Sequence, residues 1–334
     1  MRSPLINHAH YAEDYRDLLR ACEIARPGQI VWLIGPSGSG KSVLLISALN
    51  ALCGDPRMWS TGCVPAVRVR ATLSDRNKFN PKDLVLRLCV GLDDPSPSWL
   101  ALKDRTSDPD SSLRKIEELA LSERWANSRA SYTEHALRLG FERSARVRRV
   151  QWIAIEEAAS ILKVHRHQYS DNYMTGLMQL AEEIGCVLIM VGTPDSYGLL
   201  EANREVRNRS IVVWSRPYRF HLPEERKGLA TMLKALGKRF PLTPHDLLIK
   251  SIKLIFLNGG GVFGTTLNYL DRANTIRARA GDEGLELSHL EAASSTLEDQ
   301  ANLLMERTLF EALCYPELNL DIAKILKKAG SRGR

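Results

Sequence analysis

The spacing of hydrophobic and polar positions changes character near residue 222. Before it lie five short apolar runs: QIVWLI over 29–34, VPAVRV over 64–69, VQWIAI over 150–155, CVLIMV over 186–191 and IVVW over 211–214. Each is nearly continuous rather than alternating, the pattern of strands covered on both faces of a parallel sheet. Helical spacing fills the intervals between them, and strands alternating with helices predict an α/β layer architecture. The stretch 92–110 is dense in Pro, Ser and Asp and reads as a loop; 111–141 reads as one or two helices leading into the third strand. Beyond 222 the strand signals stop. PEERKGLATMLKALGKRF, HDLLIKSIKLIFLN, GTTLNYLDRANTIRARA and the segment from Leu287 onward all carry the three-to-four-residue helical period.

Composition narrows the class. With 334 residues, 44% hydrophobic and 25% charged, the chain has material for two domains with ordinary cores. Its apolar stretches stay well short of the ~20 residues of a membrane span, and the first residues lack the apolar centre of a signal peptide. Six cysteines are scattered with no C-x-x-C pair, as in a reduced, cytoplasmic protein. Lys and Arg number 46 against 39 Asp and Glu, a net +7 that favours a polyanionic partner. Arginines cluster over 138–149 and 204–219, and the end of the chain from Lys324 carries no acid.

One segment carries specific chemistry. Gly35, Pro36, Ser37, Gly38, Ser39, Gly40, Lys41 and Ser42 fit G-x-x-x-x-G-K-[ST] at every position, between an apolar strand and a helix that includes Val43. Glycines let successive backbone N–H groups turn inward around phosphate oxygens, and the helix N-terminus behind them adds partial positive charge. Lys41 is expected to reach the outer phosphates of ATP and the Ser42 hydroxyl to ligate Mg²⁺. A carboxylate at a neighbouring strand end should complete the site. WIAI followed by Glu156 and Glu157 supplies it, Glu156 as the metal-side acid and Glu157 as the base for the attacking water. Glutamate at the first position is one methylene longer than the usual aspartate, which predicts looser coordination and slow hydrolysis. Thr193, two residues past the fourth run, falls where additional-strand P-loop ATPases carry a polar residue between phosphate and lytic water. Arg204, Arg207 and Arg209 precede the fifth run, where a ring-forming ATPase exposes an arginine to its neighbour; Arg209 is the first choice and Arg207 the second.

GPSGSGKS, the strand-end IEEA, VGT and the NR pair resemble AAA+ ATPases of the initiator-like branch. More finely, the opening INHAHYAEDYRDLLRACEIARPGQIVWLIGPSGSGKSVLL, LAEEIGCVLIMVGTPDSYGLL and ANREVRNRS are similar to the TniB/TnsC family of transposition regulators, over about residues 1–280. The resemblance implies a five-stranded parallel P-loop sheet. It divides the chain into an α/β nucleotide-binding domain with an N-terminal lead over 1–222, a helical lid over 223–300 and a helical, basic tail suited to partner binding over 301–334. It implies a homo-oligomeric ring or helical filament on double-stranded DNA. That assembly would connect a target-selection protein or CRISPR effector complex to transposase subunits. Two departures stand out: Glu156 in place of aspartate, and Gly264 near the place where many lids carry an arginine toward the phosphates. The family's DNA-contact loops correspond here to Arg76, Lys78 and Lys82, and to Lys163 and Arg166. No base-reading module is present in the sequence, so phosphate contacts are expected. Two alternatives stay open, a helicase-loader ATPase that prefers single strands and a nucleotide-switched signalling scaffold without DNA.

Overall fold

The computed structural model describes residues 8–55, 58–74, 77–93, 131–163, 167–201 and 203–315. Each apolar run forms a strand: β1 (Ile30–Ile34), β2 (Ala66–Arg70), β3 (Trp152–Glu156), β4 (Val187–Gly192) and β5 (Ser210–Trp214). They make one sheet in the order β2-β3-β4-β1-β5, and the β1/β4, β3/β4 and β2/β3 pairs run parallel. β1 and β4 are buried at every position, as strands with neighbours on both sides and helices on both faces must be. At the sheet edges the expected burial on both faces gives way. β5 is half-buried at four of its five positions, and β2 carries Arg68 and Arg70. An edge strand has one neighbour, so part of its surface stays within reach of water.

Helices α1 (Ala9–Ile24), α2 (Lys41–Cys53), α3 (Pro81–Asp93), α4 (Glu134–Val147), α5 (His167–Ile184), α6 (Tyr197–Glu201) and α7 (Arg204–Asn208) accompany the strands. After β5 come α8 (Pro223–Gly237), α9 (Leu247–Lys250), α10 (Ile252–Gly259), α11 (Phe263–Ala280), α12 (Leu287–Ala292) and α13 (Leu297–Cys314). The run expected as one helix over 245–258 divides at Ser251. Left-handed glycines at 260 and 281 close α10 and α11, a conformation that costs glycine nothing.

The described residues group into two compact units. The first comprises 15–34 and 41–213, and the second 8–14, 35–40 and 214–315. The sheet is the centre of the first. The second has its own core, with Leu229, Leu233, Leu236, Tyr269, Leu270 and Leu285 at 1% exposure or less. Among the described residues no helix is long and apolar enough to cross a membrane.

Candidate functional site

The carboxyl ends of the central strands lie level. Ile34 pairs with Gly192 and Glu156 with Val191, so whatever follows each strand emerges on one edge of the sheet. In open α/β sheets this edge is where ligands bind, at the point where strand order reverses. Here β1, the first strand in sequence, lies between β4 and β5.

In the first unit, α2 opens at Lys41. The Ser42 hydroxyl donates to one oxygen of Glu156, and the Arg68 guanidinium on β2 pairs with the other. Glu156 is 4% exposed, so its charge is balanced in place by Arg68 rather than by water. A hydroxyl and a carboxylate brought to hydrogen-bonding contact are the hard oxygen donors that Mg²⁺ selects, and this pair fits the metal role expected of it. Beside them, burial lowers the Lys41 ammonium to about 8, while Glu157 and Glu156 pull it the other way. Glu157 follows the strand with φ +58 and its side chain exposed. For a residue with a Cβ that backbone is costly, and such strain collects where a side chain must be aimed. A 3-10 turn over Ala158–Lys163 follows.

Thr193 sits just past β4, in extended backbone at the head of a short 3-10 turn. Its carbonyl accepts from the Ser196 N–H and hydroxyl, at 2.9 and 2.5 Å. The structure thus places Thr193 on the same strand-end edge as Glu156 and Glu157.

The loop 35–40 belongs to the second unit. Gly38 and Gly40 have φ +79 and +89, and Gly40 has open space where a Cβ would stand. Gly35 is buried, whereas Ser37 and Gly38 are exposed. The Ser39 N–H donates to the Pro36 carbonyl at 3.3 Å, closing the turn. Gly264, at the start of α11, donates its N–H to the Gly38 carbonyl at 2.8 Å. A Cβ on Gly264 would stand 2.5 Å from that oxygen, so glycine here permits backbone-to-backbone contact. Val43, in the first turn of α2 in the other unit, is 39% exposed.

Also in the second unit, His8 stacks on Phe263 and His10 on Tyr218, at 5.6 and 3.9 Å between centroids. His8 Nδ1 accepts from the Tyr11 N–H at 3.3 Å and lies 3.0 Å from the Tyr218 hydroxyl. Burial lowers His8 to about 4 and also depresses His10. Ser39 and Gly261 border the same small cleft of about 10 Å³.

The basic residues expected at DNA separate into groups. Arg76 and Arg166 lie outside the described residues. Lys78 is half-buried, Lys82 stands in the first turn of α3, and Lys163 is exposed at the end of its 3-10 turn. The Phe79 N–H donates to the Lys163 carbonyl at 3.2 Å, which joins the loop after β2 to the turn after β3. Arg209 caps α7 and forms exposed pairs with Glu182 at 2.9 Å and Glu205 at 3.6 Å. Arg207 reaches the Glu201 carbonyl at 3.3 Å, and Arg204 is exposed. Arg68 is the participant that sequence reasoning missed. Its signal was a cation inside a run read as buried strand, which needs an anion close by.

A family model described as an AAA domain matches residues 25–200, more than half of the chain. No curated protein matches it significantly. Among solved structures, Cdc6p of Pyrobaculum aerophilum is similar at 13% identity and TM-score 0.52, over 85% of this chain and 66% of its own. This chain therefore spans just under two thirds of that protein. The ORC2 protein of Aeropyrum pernix, in ADPNP–ADP complexes, is 13% identical over 89% of this chain and 71% of its own, with TM-score 0.47. A Walker-type ATPase of Pyrococcus abyssi is 15% identical over 91% and 76%, with TM-score 0.48. At these identities the likeness is one of fold, and the Cdc6p match carries it.

Proposed function

The chain belongs to the AAA domain family, and from that premise we propose that it is an ATP-dependent, DNA-binding regulator of DNA transposition. In this reading it assembles on duplex DNA and links target-site selection to recruitment of the transposase. The observation that carries the ATPase half is the convergence of Ser42 on buried Glu156, with Lys41 and Glu157 close enough to sense each other's charge. Ser42 and Glu156 would hold Mg²⁺, which when bound offsets negative charge on the phosphates. The chain's own residues do the rest. Lys41 binds the outer phosphates, Glu157 accepts the proton of the attacking water, and Thr193 orients that water. Arg209 serves a neighbouring subunit; its pairs with Glu182 and Glu205 are exposed, and such pairs release a side chain readily.

The transposition half is supported by the opening, VGTPD and VRNRS blocks of the sequence. The contact between the loop that carries Lys78, just before α3 and Lys82, and the Lys163 turn supports DNA binding, since it brings two separate basic segments to one place. Phosphate contacts of this kind grip duplex without reading its bases.

The test is duplex binding with and without ATP across a salt series. Binding should require ATP and fall steeply with salt, with a log–log slope near −0.9 per phosphate neutralised. Lys82→Ala with Lys163→Ala should flatten the slope and spare ATP binding. Lys41→Ala should lose ATP binding and assembly together. Preference for single strands, or binding indifferent to ATP, would replace this reading with the loader.

A further inference from the structure

The ion pair between Arg68 and Glu156 is a second charge built into the metal side of the site. Most of what surrounds it follows from the P-loop chemistry, but this contact does not. Glu156 is almost wholly buried, with its two oxygens already divided. One accepts from the Ser42 hydroxyl and the other faces the Arg68 guanidinium. Arg68 comes from the neighbouring strand, where its register partner is Ala154 and Arg70 is the one opposite Glu156. It therefore reaches diagonally along the strand, a distance a long side chain spans. Its Nε is buried and lacks a hydrogen-bond partner. The guanidinium thus leaves one of its donors unsatisfied while it holds the carboxylate, so its position is set by Glu156 rather than by a full set of partners.

We propose that Arg68 is a positioning residue that competes with the divalent cation for Glu156. It turns one carboxylate oxygen toward Ser42 and, as a fixed positive charge on the other, weakens the pull of the site on Mg²⁺. The proposal rests on the reading of Lys41, Ser42 and Glu156 as a Mg²⁺–ATP site. Two effects oppose each other when Arg68 is removed. Loss of orientation loosens the carboxylate, while loss of a cation in direct contact with it raises its attraction for any other. Repulsion between a single and a double charge a few ångströms apart in a largely buried site exceeds the gain from holding one rotamer, so the second effect wins.

The experiment titrates free Mg²⁺ against binding of a fluorescent ATP analogue to the full chain, after circular dichroism shows each variant folded. In Arg68→Gln the half-saturating Mg²⁺ should fall by about tenfold, a shift equivalent to 1.4 kcal/mol. Arg68→Lys keeps the charge and should stay within about twofold of the parent chain. Should the glutamine variant unfold, Arg68→Met, of similar length and uncharged, gives the same reading. A merely structural Arg68 would alter stability and leave the Mg²⁺ midpoint alone, and a midpoint that is unchanged or raised in both uncharged variants overturns the proposal. If the parent chain fails to bind the analogue at any Mg²⁺ concentration, the nucleotide reading falls, and this inference with it. If the parent chain binds and the variants match it, only the role of Arg68 falls.

Discussion

Glu157 holds a left-handed backbone conformation that a side chain adopts only at a cost. The next residues enter a 3-10 turn at once, so the strand cannot continue and the carboxylate projects from its end. Glu157→Gln keeps the shape and removes the carboxylate proposed above as proton acceptor. ATP binding should stay within about twofold, and turnover should fall by about a hundredfold or more, the usual contribution of a positioned base. A phosphate-release assay beside a binding titration measures both. Equal turnover in this variant, with a large loss in Glu156→Gln, would exchange the two roles. Lys41, Ser42 and both glutamates were legible because each lies in a short stretch whose spacing states its geometry. Arg68 was not. Its partner stands on another strand, and which strands are neighbours is decided by the crossover order of the whole sheet rather than by anything near residue 68.

Among the elements, α11 shows how a missing side chain becomes a contact. Its first turn meets the loop 35–40 through Gly264 and Gly38, with no room for a Cβ between them. Gly264→Ala should force the loop and the helix apart. A loss of about 1–3 kcal/mol, typical of overpacking, is expected in a denaturant titration. Nucleotide affinity should weaken in parallel, since the loop that carries Gly38 is the one proposed to cradle phosphate. A variant with unchanged midpoint and affinity would mean that the contact is incidental. The strands were legible to within about two residues because a buried strand must be apolar throughout. The use of the arginine cluster over 138–149 was not. In the structure Arg138 pairs with Glu142, Arg146 with Glu183 and Arg148 with Asp93, so much of that charge ties α4 to α5 and α3. Two of those carboxylates come from distant parts of the chain, and a local reading of charge cannot count them.

On the scale of the molecule, acid acts through the second unit. His8 is lowered to about 4 by burial beside Tyr218, Phe263 and His10, and Glu13, Asp14, Glu225 and Arg216 face the same cluster. The unfolded chain takes a proton near 6.5 and the folded chain only near 4. The stability this neutral ring supplies is therefore complete above about 6.5 and is lost as the pH falls toward 4, by up to about 1.4 kcal/mol per unit. His10, shifted the same way, adds to the loss. Burial is the main cause and the charge of His10 the second; the hydrogen bonding is consistent with it, since a protonated Nδ1 would confront the Tyr11 N–H that it now accepts from. Thermal midpoints measured from pH 7.5 to 4.5 should decline, and His8→Gln should flatten the decline; a flat profile in the parent chain would contradict the shift. Connectivity has a further consequence. The second unit gathers 8–14, 35–40 and 214–315, so the chain passes from one unit to the other after residues 14, 34, 40 and 213. No single cut in the gene separates the two. A fragment starting at Trp214 would be expressed without the partners of Tyr218 and Gly264, and a fragment ending at Val213 would keep a histidine pair and a glycine loop with nothing to fold against. Deletion series on this gene would consequently map how its polypeptide is threaded well before they located any activity.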